Sequence, residues 1–539
     1  MMRRHGLKAA VSALLLAGLA ACATTEAPTS VSTPPPGTDP TTVAWWSTTS
    51  ALSGDDMEGR DTGSAGYRKA VAYVIDRFRR AGLQPAGDNG TFIQSIPLHE
   101  VAVVKAGTSF TVVGDDGSTR PLQFLREISV SPSADLPASL EAPLAFRGYC
   151  SRDEIGDVRG KIAVCFAGRR TGMVSGAERT GAVTAGGAVG LINIDDIGFT
   201  VEPPRWPVAY ARSVSFAGAE PLRATPRNAP AYPVLRLSGE ALAAVIAGSG
   251  QDAADILAKG VAAAPLPAFD IPARMRLTFA VKESDYSSEN VLAVLPGTDP
   301  ALADQPVLVN AHLDGYGYGE PVDGDGLYNG ALDDAAYVAT LIEMADHFGG
   351  KGLRRPVFFA AYTGEEKGLL GSRWLADHPT PAMGAKGLPV AVLNLDQLRP
   401  LYPLTILTTL AVNDTTLGAT AREIAGEMGV EVRPDPEPER GLLRRSDHWP
   451  FMQKGVPGIS FIFGYDPGTE AEARYRLWYQ TRYHMPADDL TTPIDWKAAG
   501  DFNRFYETLT RRVADADQAP HWIPGSPIAP ATATSAGRR

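Results

Sequence analysis

The sequence predicts an α/β chain: a mostly parallel, mixed central sheet covered by helices on both faces, with a small β-rich domain inserted into it. Three observations predict this. From residue 285 onward, short and nearly continuous apolar runs alternate with helical patterns, which is how strands buried on both faces read. Residues 140–272 have another texture, with glycine turns between short apolar runs. The 539 residues are 44% hydrophobic and 21% charged, enough for a large core, while 55 Gly and 43 Pro point to many loops rather than a long helical rod.

Arg3, Arg4 and Lys8 precede a 13-residue apolar run over 9–21, too short to span a bilayer, so 1–21 reads as an export signal. The run ends in Leu19-Ala20-Ala21-Cys22, which resembles the bacterial lipobox and would make Cys22 the lipidated first mature residue. An ordinary cleaved signal with an incidental cysteine is the alternative. Residues 22–44 are rich in Pro and Thr and suit a flexible tether. A first part of the main domain is expected over 45–139. It contains a helix over 64–80, capped by Ser64, ended by Gly82 and burying Tyr67, Val71, Val74 and Phe78, then strand material over 101–113.

The insert at 140–272 carries a strand over 160–167, a glycine turn and strand over 185–194, and a strand followed by a helix over 232–248. It shows no histidine or acidic cluster suited to a metal. The second part of the main domain, 273–513, reads as strands at 290–295, 306–312, 356–363, 389–396 and 458–464, with a helix over 333–348. Residues 514–539 read as a loose tail. The net charge of −11 argues against nucleic acid as a partner. No apolar run reaches 18 residues, so no membrane-spanning helix is expected. Cys150 and Cys165 are few enough to exclude a disulfide scaffold or a thiolate zinc cluster, and an exported chain allows them to pair.

Ligands of such sheets gather at the carboxyl ends of the strands. There the sequence places His312 and Asp314, Asp333-Asp334, Glu365-Glu366, Asp396 and, near the end, His484. This mixed nitrogen and oxygen set suits zinc, with cobalt or manganese as substitutes. Two metals need a carboxylate between them, and Asp333, read as the start of a helix, is placed to bridge. Asp314 can orient His312. Of the adjacent glutamates, one can bind metal while the other moves a proton. A lone histidine or a Glu-Glu pair is ordinarily structural or solvated; the ordered set carries the reading. His448, in Arg445-Ser446-Asp447-His448, reads as a structural residue near the site, with substrate contact as the other possibility.

The segments AHLDG (311–315), NGALDDAA (329–336), TGEEKGLLGS (363–372), NLD (394–396) and RYHMPADD (482–489) resemble the M28 family of co-catalytic zinc metallopeptidases in order and spacing. GDVRGKIAVC and TAGGAVGLINIDD resemble a protease-associated (PA) domain. The resemblance implies a zinc-aminopeptidase-like fold and two zinc ions. His312 and Asp396 would hold one, Glu366 and His484 the other, and Asp333 would bridge. It also implies that Glu365 is the general base for a metal-bridging water, that Asp314 supports His312, and that Tyr483 binds the oxyanion, with Tyr465 and Tyr479 as substitutes. Two stretches depart from the family pattern: Asp334-Ala335-Ala336-Tyr337 after the bridge, and Gln397-Leu398-Arg399 after Asp396.

The expectation is therefore an exported aminopeptidase acting on peptides. It would be lipid-anchored in the bacterial cell envelope, on the periplasmic side of the outer membrane. Rival readings are a carboxypeptidase or dipeptidase using the same site, a single-zinc acyltransferase like glutaminyl cyclase, and a non-catalytic binding protein.

Overall fold

The computed structural model describes residues 30–218, 232–396 and 399–531. The signal, Cys22, Gln397 and Leu398 lie outside the described residues. A ten-stranded sheet runs in the order Glu431–Arg433, Ile406–Leu410, Gly458–Phe463, Ala391–Asn394, Val307–His312, Val357–Tyr362, Val281–Leu295, Ile93–Val103 and Arg212–Phe216, with Gln84–Pro85 beside Val281–Leu295. The four central strands, Gly458–Phe463 to Val357–Tyr362, are parallel. Outside them the pairing turns antiparallel, apart from Ile406–Leu410 with Glu431–Arg433. The sheet is thus less parallel than its apolar runs suggest, because parallel pairing is concentrated where both faces are buried.

Those central strands are buried at every position. Their side chains alternate between two cores. Val307, Val309, Ala311 and Phe359 face the larger one, while Leu308, Phe358 and Tyr362 face the smaller. The larger core is covered by helices Pro40–Ser53, Ala65–Arg80, Ala336–Phe348, Leu417–Glu427 and Trp496–Asp515. Leu370–Asp377 and Trp449–Gln453 cover the other. Helix Ala65–Arg80 forms as its pattern predicts. Ser64 accepts a hydrogen bond from the Tyr67 amide at 3.0 Å, the apolar stripe is buried, and three arginines close the last turn.

A second, eight-stranded sheet has the order Thr119–Leu122, Ser109–Gly114, Ala268–Thr278, Ser139–Arg147, Ile162–Ala167, Gly190–Asp195, Val234–Leu237 and Ile128–Val130, around its own core. The boundaries expected at 140 and 272 fall inside its pairing. Ala268–Thr278 pairs with Ser139–Arg147 on one side and with Ser109–Gly114 on the other, so the unit begins near 109 and ends near 278. Arg212–Phe216, although between its strands in sequence, pairs with Ile93–Val103 of the main sheet. Cys150 and Cys165 form a disulfide with Cα atoms 5.6 Å apart.

Two terminal expectations are corrected. The tether expected to reach residue 44 is packed well before it. Helix Pro40–Ser53 buries Trp45 and Trp46, Trp45 Nε1 donates to Ala336 O at 2.7 Å, and the Ser32 amide donates to Leu490 O at 2.8 Å. The tail expected from 514 is docked as far as it is described. The final helix runs to Asp515, and Trp522 pairs with Thr415 and donates to Gly455 O at 2.8 Å. Tryptophans in otherwise small, polar stretches anchor both segments.

A candidate metal centre at the carboxyl edge of the sheet

His312 ends the strand Val307–His312, Glu365 and Glu366 follow Val357–Tyr362, and Asp396 follows Ala391–Asn394. Parallel neighbours therefore bring these groups to one edge. Asp333 reaches them from a loop. The regular helix begins at Ala336, not 333; Asp333 and Asp334 lie in the irregular turn before it, joined by a cis peptide. What fixes Asp333 is thus not a helical first turn. Asp488 accepts the amides of Leu332 and Asp333, each at 3.0 Å. The turn also requires glycine at 330, where φ is +60° and a Cβ would lie 2.4 Å from Asp333 O. Buried Arg60 ties two site loops together, donating to the carbonyls of Leu313 and Gly330, both at 2.9 Å, and to that of Asn329 at 2.7 Å.

Asp333 lies between two histidines. Its Oδ1 is 3.3 Å from His312 Nε2 and its Oδ2 is 3.2 Å from His484 Nε2. His484 Nε2 is also 3.3 Å from Glu366 Oε1. Three overlapping groups result: His312, Asp333, Asp334 and Asp396; His312, Glu365 and Glu366; and Asp333, Glu366 and His484. The separations of 3.2–3.3 Å exceed those of charge-assisted hydrogen bonds, about 2.7–2.9 Å. They match the edge, about 3.4 Å, of a tetrahedron with centre-to-vertex distances of about 2.1 Å, the bond length of zinc to nitrogen and oxygen. Among the described residues, one oxygen each of Asp334, Glu366 and Asp396 is buried without a hydrogen-bond partner, and Asp333 Oδ2, likewise unbonded, lies 3.6 Å from the buried Arg399 guanidinium. Buried carboxylate oxygens in that state call for a cation, and the donor set fits zinc.

The buried charges perturb one another strongly: burial opposes the charge on His312, but the facing carboxylates of Asp334, Glu365 and Asp333 raise its imidazole well above the usual range. Burial raises the carboxyls of Glu365 and Asp334 well above the usual range, and burial with the Asp333 charge brings Glu366 to about 8. Burial also opposes ionisation of Asp333, but the facing imidazoles of His312 and His484 hold its carboxyl well below normal. Burial and the nearby Arg205 charge lower His484 to about 4, leaving its imidazole neutral. His484 itself sits in the left-handed region with φ +55°, a strained position of the kind found at functional sites.

Several supporting residues differ from expectation. Asp314 does not orient His312 through its carboxylate, which is 3.9 Å from Nδ1. Its backbone oxygen does, at 3.1 Å, while the carboxylate accepts the Glu365 amide and the Thr62 hydroxyl, each at 3.0 Å. Asp314 thus positions Glu365 as well as His312. Tyr483 stacks on His484 with ring centres 3.8 Å apart, its hydroxyl 3.5 Å from Arg445 Nη2. Tyr479 packs on Tyr483 and Tyr465 on Tyr475. His448 is fully buried and lowered to about 3 by burial, with neither ring nitrogen hydrogen-bonded among the described residues.

Sequence reasoning missed Tyr316, whose hydroxyl is 2.9 Å from His484 Nδ1; its only signal was its place two residues past Asp314. It missed Asp488, although the quoted RYHMPADD segment contains it. It missed Ser446, which donates to Asp396 Oδ2 at 2.6 Å, and Arg205, which reaches from the second sheet's loop to within 3.3 Å of His484 Nδ1.

Every residue of the three ligand groups lies between 312 and 484. Residues 290–510 match the model of peptidase family M28. A probable zinc metalloprotease of Pyrenophora tritici-repentis is 26% identical over 261 residues, 43% of this chain and 58% of that protein. The chain therefore spans little more than half the length of that relative. An aminopeptidase from Aneurinibacillus sp. strain AM-1 is similar in fold, with TM-score 0.57 and 17% identity over 89% of this chain and 95% of that one. A zinc aminopeptidase from Bacillus subtilis is similar to the same degree, with TM-score 0.56 and 19% identity over 88% of this chain and 96% of its own. At these identities the likeness shows the mixed α/β fold alone.

Proposed function

We propose that the protein is a zinc-dependent aminopeptidase holding two zinc ions, one by His312 and Asp396 and one by Glu366 and His484, with Asp333 shared. The observation that carries this is Asp333 lying 3.2–3.3 Å from both imidazoles. When bound, zinc supplies Lewis-acid activation of water and carbonyl. The chain's own residues do the rest. Glu365, held by the bond from its amide to Asp314, is assigned the proton rather than a zinc ion, although it also lies within a ligand group with His312 and Glu366. Its raised pKa suits it to take a proton and pass it to the leaving amine. Tyr483, beside His484, is the donor proposed for the developing oxyanion. The sequence of 1–22 supports export and a lipid at Cys22, which intact mass of the mature N-terminus tests.

A peptide-library digest followed by mass spectrometry, with and without chelator, tests the activity. Chelator-sensitive removal of single N-terminal residues is expected. Trimming from the carboxyl terminus would replace the aminopeptidase reading with a carboxypeptidase. Chelator-insensitive cleavage, or none, would remove the zinc peptidase reading.

A further inference from the structure

A cavity of about 370 Å³ opens beside His484, between it and the second sheet. Arg169, Arg205 and Arg236 line it, with Asp195 and Glu202 as its carboxylates. Both carboxylates are already engaged. Asp195 accepts two bonds from Arg236, at 3.2 and 2.6 Å, and one from Trp206 Nε1 at 2.9 Å. Glu202 accepts a two-pronged bond from Arg445 at 2.8 and 3.0 Å, with Arg440 at 3.7 Å behind it. Five guanidinium groups thus meet two carboxylates, in a chain whose net charge is −11.

Two of these arginines are unspent. Arg169 lies over Phe199 at 4.7 Å and makes no side-chain hydrogen bond or ion pair among the described residues. Among the described residues, Arg205 Nη1 is buried without a partner, and Nη2 has only Glu202 at 3.7 Å and His484 Nδ1 at 3.3 Å. The last contact is not a hydrogen bond once His484 acts as a ligand. With the Nε2 lone pair turned to the Asp333 and Glu366 side, the ring proton sits on Nδ1, and the Tyr316 oxygen at 2.9 Å accepts it. A guanidinium cannot donate to that N–H. Arg205 therefore lines the cavity with its guanidinium uncommitted, held in place over the Tyr483 ring at 4.5 Å.

We propose that Arg205 and Arg169 form a carboxylate-binding subsite, so that the substrates are peptides bearing a carboxylate close to the scissile bond. That carboxylate is either an acidic side chain or the free terminus of a short peptide, both matching the fork of a guanidinium. The substrate reading rests on the peptidase activity proposed above, and the release of Arg205 from His484 rests on the zinc reading, whereas Arg169 depends on neither.

Two peptide pairs separate the sources in zinc-loaded protein. One compares Glu with Gln at the residue next to the cleaved bond in amidated peptides. The other compares free and amidated termini in neutral ones. At least one pair is expected to favour the carboxylate by about tenfold or more in kcat/KM, the order of one hydrogen bond to a charged group. Arg169→Gln and Arg205→Gln should each collapse that ratio; Arg169, without side-chain partners, keeps the test open if Arg205→Gln misfolds. Calorimetric titration with glutarate and its neutral diamide runs in parallel. Equal rates within both pairs, or ratios unmoved in the variants, would overturn the proposal. Intact peptides alongside arginine-dependent glutarate binding would remove the peptidase reading and leave the anion site standing. Glutarate binding equally to wild type and variants, or not at all, would remove the site.

Discussion

Tyr316→Phe isolates one hydrogen bond at the centre. The substitution removes a single oxygen, the one 2.9 Å from His484 Nδ1. The ring stays packed, 4.6 Å from His484, 5.6 Å from Tyr210 and 6.0 Å from Tyr328 between centres. The change therefore acts on the orientation and basicity of one ligand rather than on the fold. A lost hydrogen bond of this kind costs about 1–1.5 kcal/mol, or roughly tenfold in affinity, and partners of ligating histidines range over about 10- to 100-fold. The loss should fall on one ion only, because His312 takes its support from Asp314 O and not from Tyr316. Zinc competition against a chromophoric chelator, fitted to two sites, measures this. One site should weaken by about tenfold while the other holds. Two unchanged sites, or two equally weakened ones, would refute the assignment of His484 and His312 to separate ions.

Other substitutions probe the remaining parts. Glu365→Gln should keep its zinc, by elemental analysis, and lose about 10²–10⁴-fold in kcat; retained turnover would remove Glu365 from the proton path. Burial alone would raise Glu202, but Arg445, Arg205 and Arg440 lower it from 4.5 to about 2. A depressed carboxyl stabilises the fold above its unfolded pKa and loses that contribution as pH falls through the folded one. The wild-type advantage over Glu202→Gln in urea unfolding should thus be on the order of 3 kcal/mol near pH 6 and shrink from about pH 4.5 toward 2. A pH-independent difference would contradict the ion-pair origin. Trp45→Ala should destabilise by about 3–5 kcal/mol in the same assay, because the ring is buried and bonded to Ala336 O. A negligible effect would restore the tether reading of that stretch.

The legible parts were those written in short-range patterns. The buried strands Val307–His312 and Val357–Tyr362 are apolar at nearly every position, and the groups following them were readable as an edge cluster. The first half of Val281–Leu295 was not, since its exposed residues 282–285 are polar and it holds its place by pairing with Ile93–Val103. The second sheet's extent was hidden because Ser109–Gly114 joins it through Ala268–Thr278, far along the chain. The same limit governs the site. His312 and Asp333 were visible as residue types at strand and loop ends. Arg205 and Asp488 were not, because only the folded chain brings a loop of one sheet, and a turn near the C-terminus, against those ligands.

The central claim is that Asp333 lies between two zinc ions. Anomalous diffraction from crystals of the zinc-loaded protein, collected on either side of the zinc edge, tests it most directly. Two peaks about 3.5–4 Å apart are expected, one beside His312 and Asp396 and the other beside Glu366 and His484. A single peak, or peaks away from Asp333, would contradict the account.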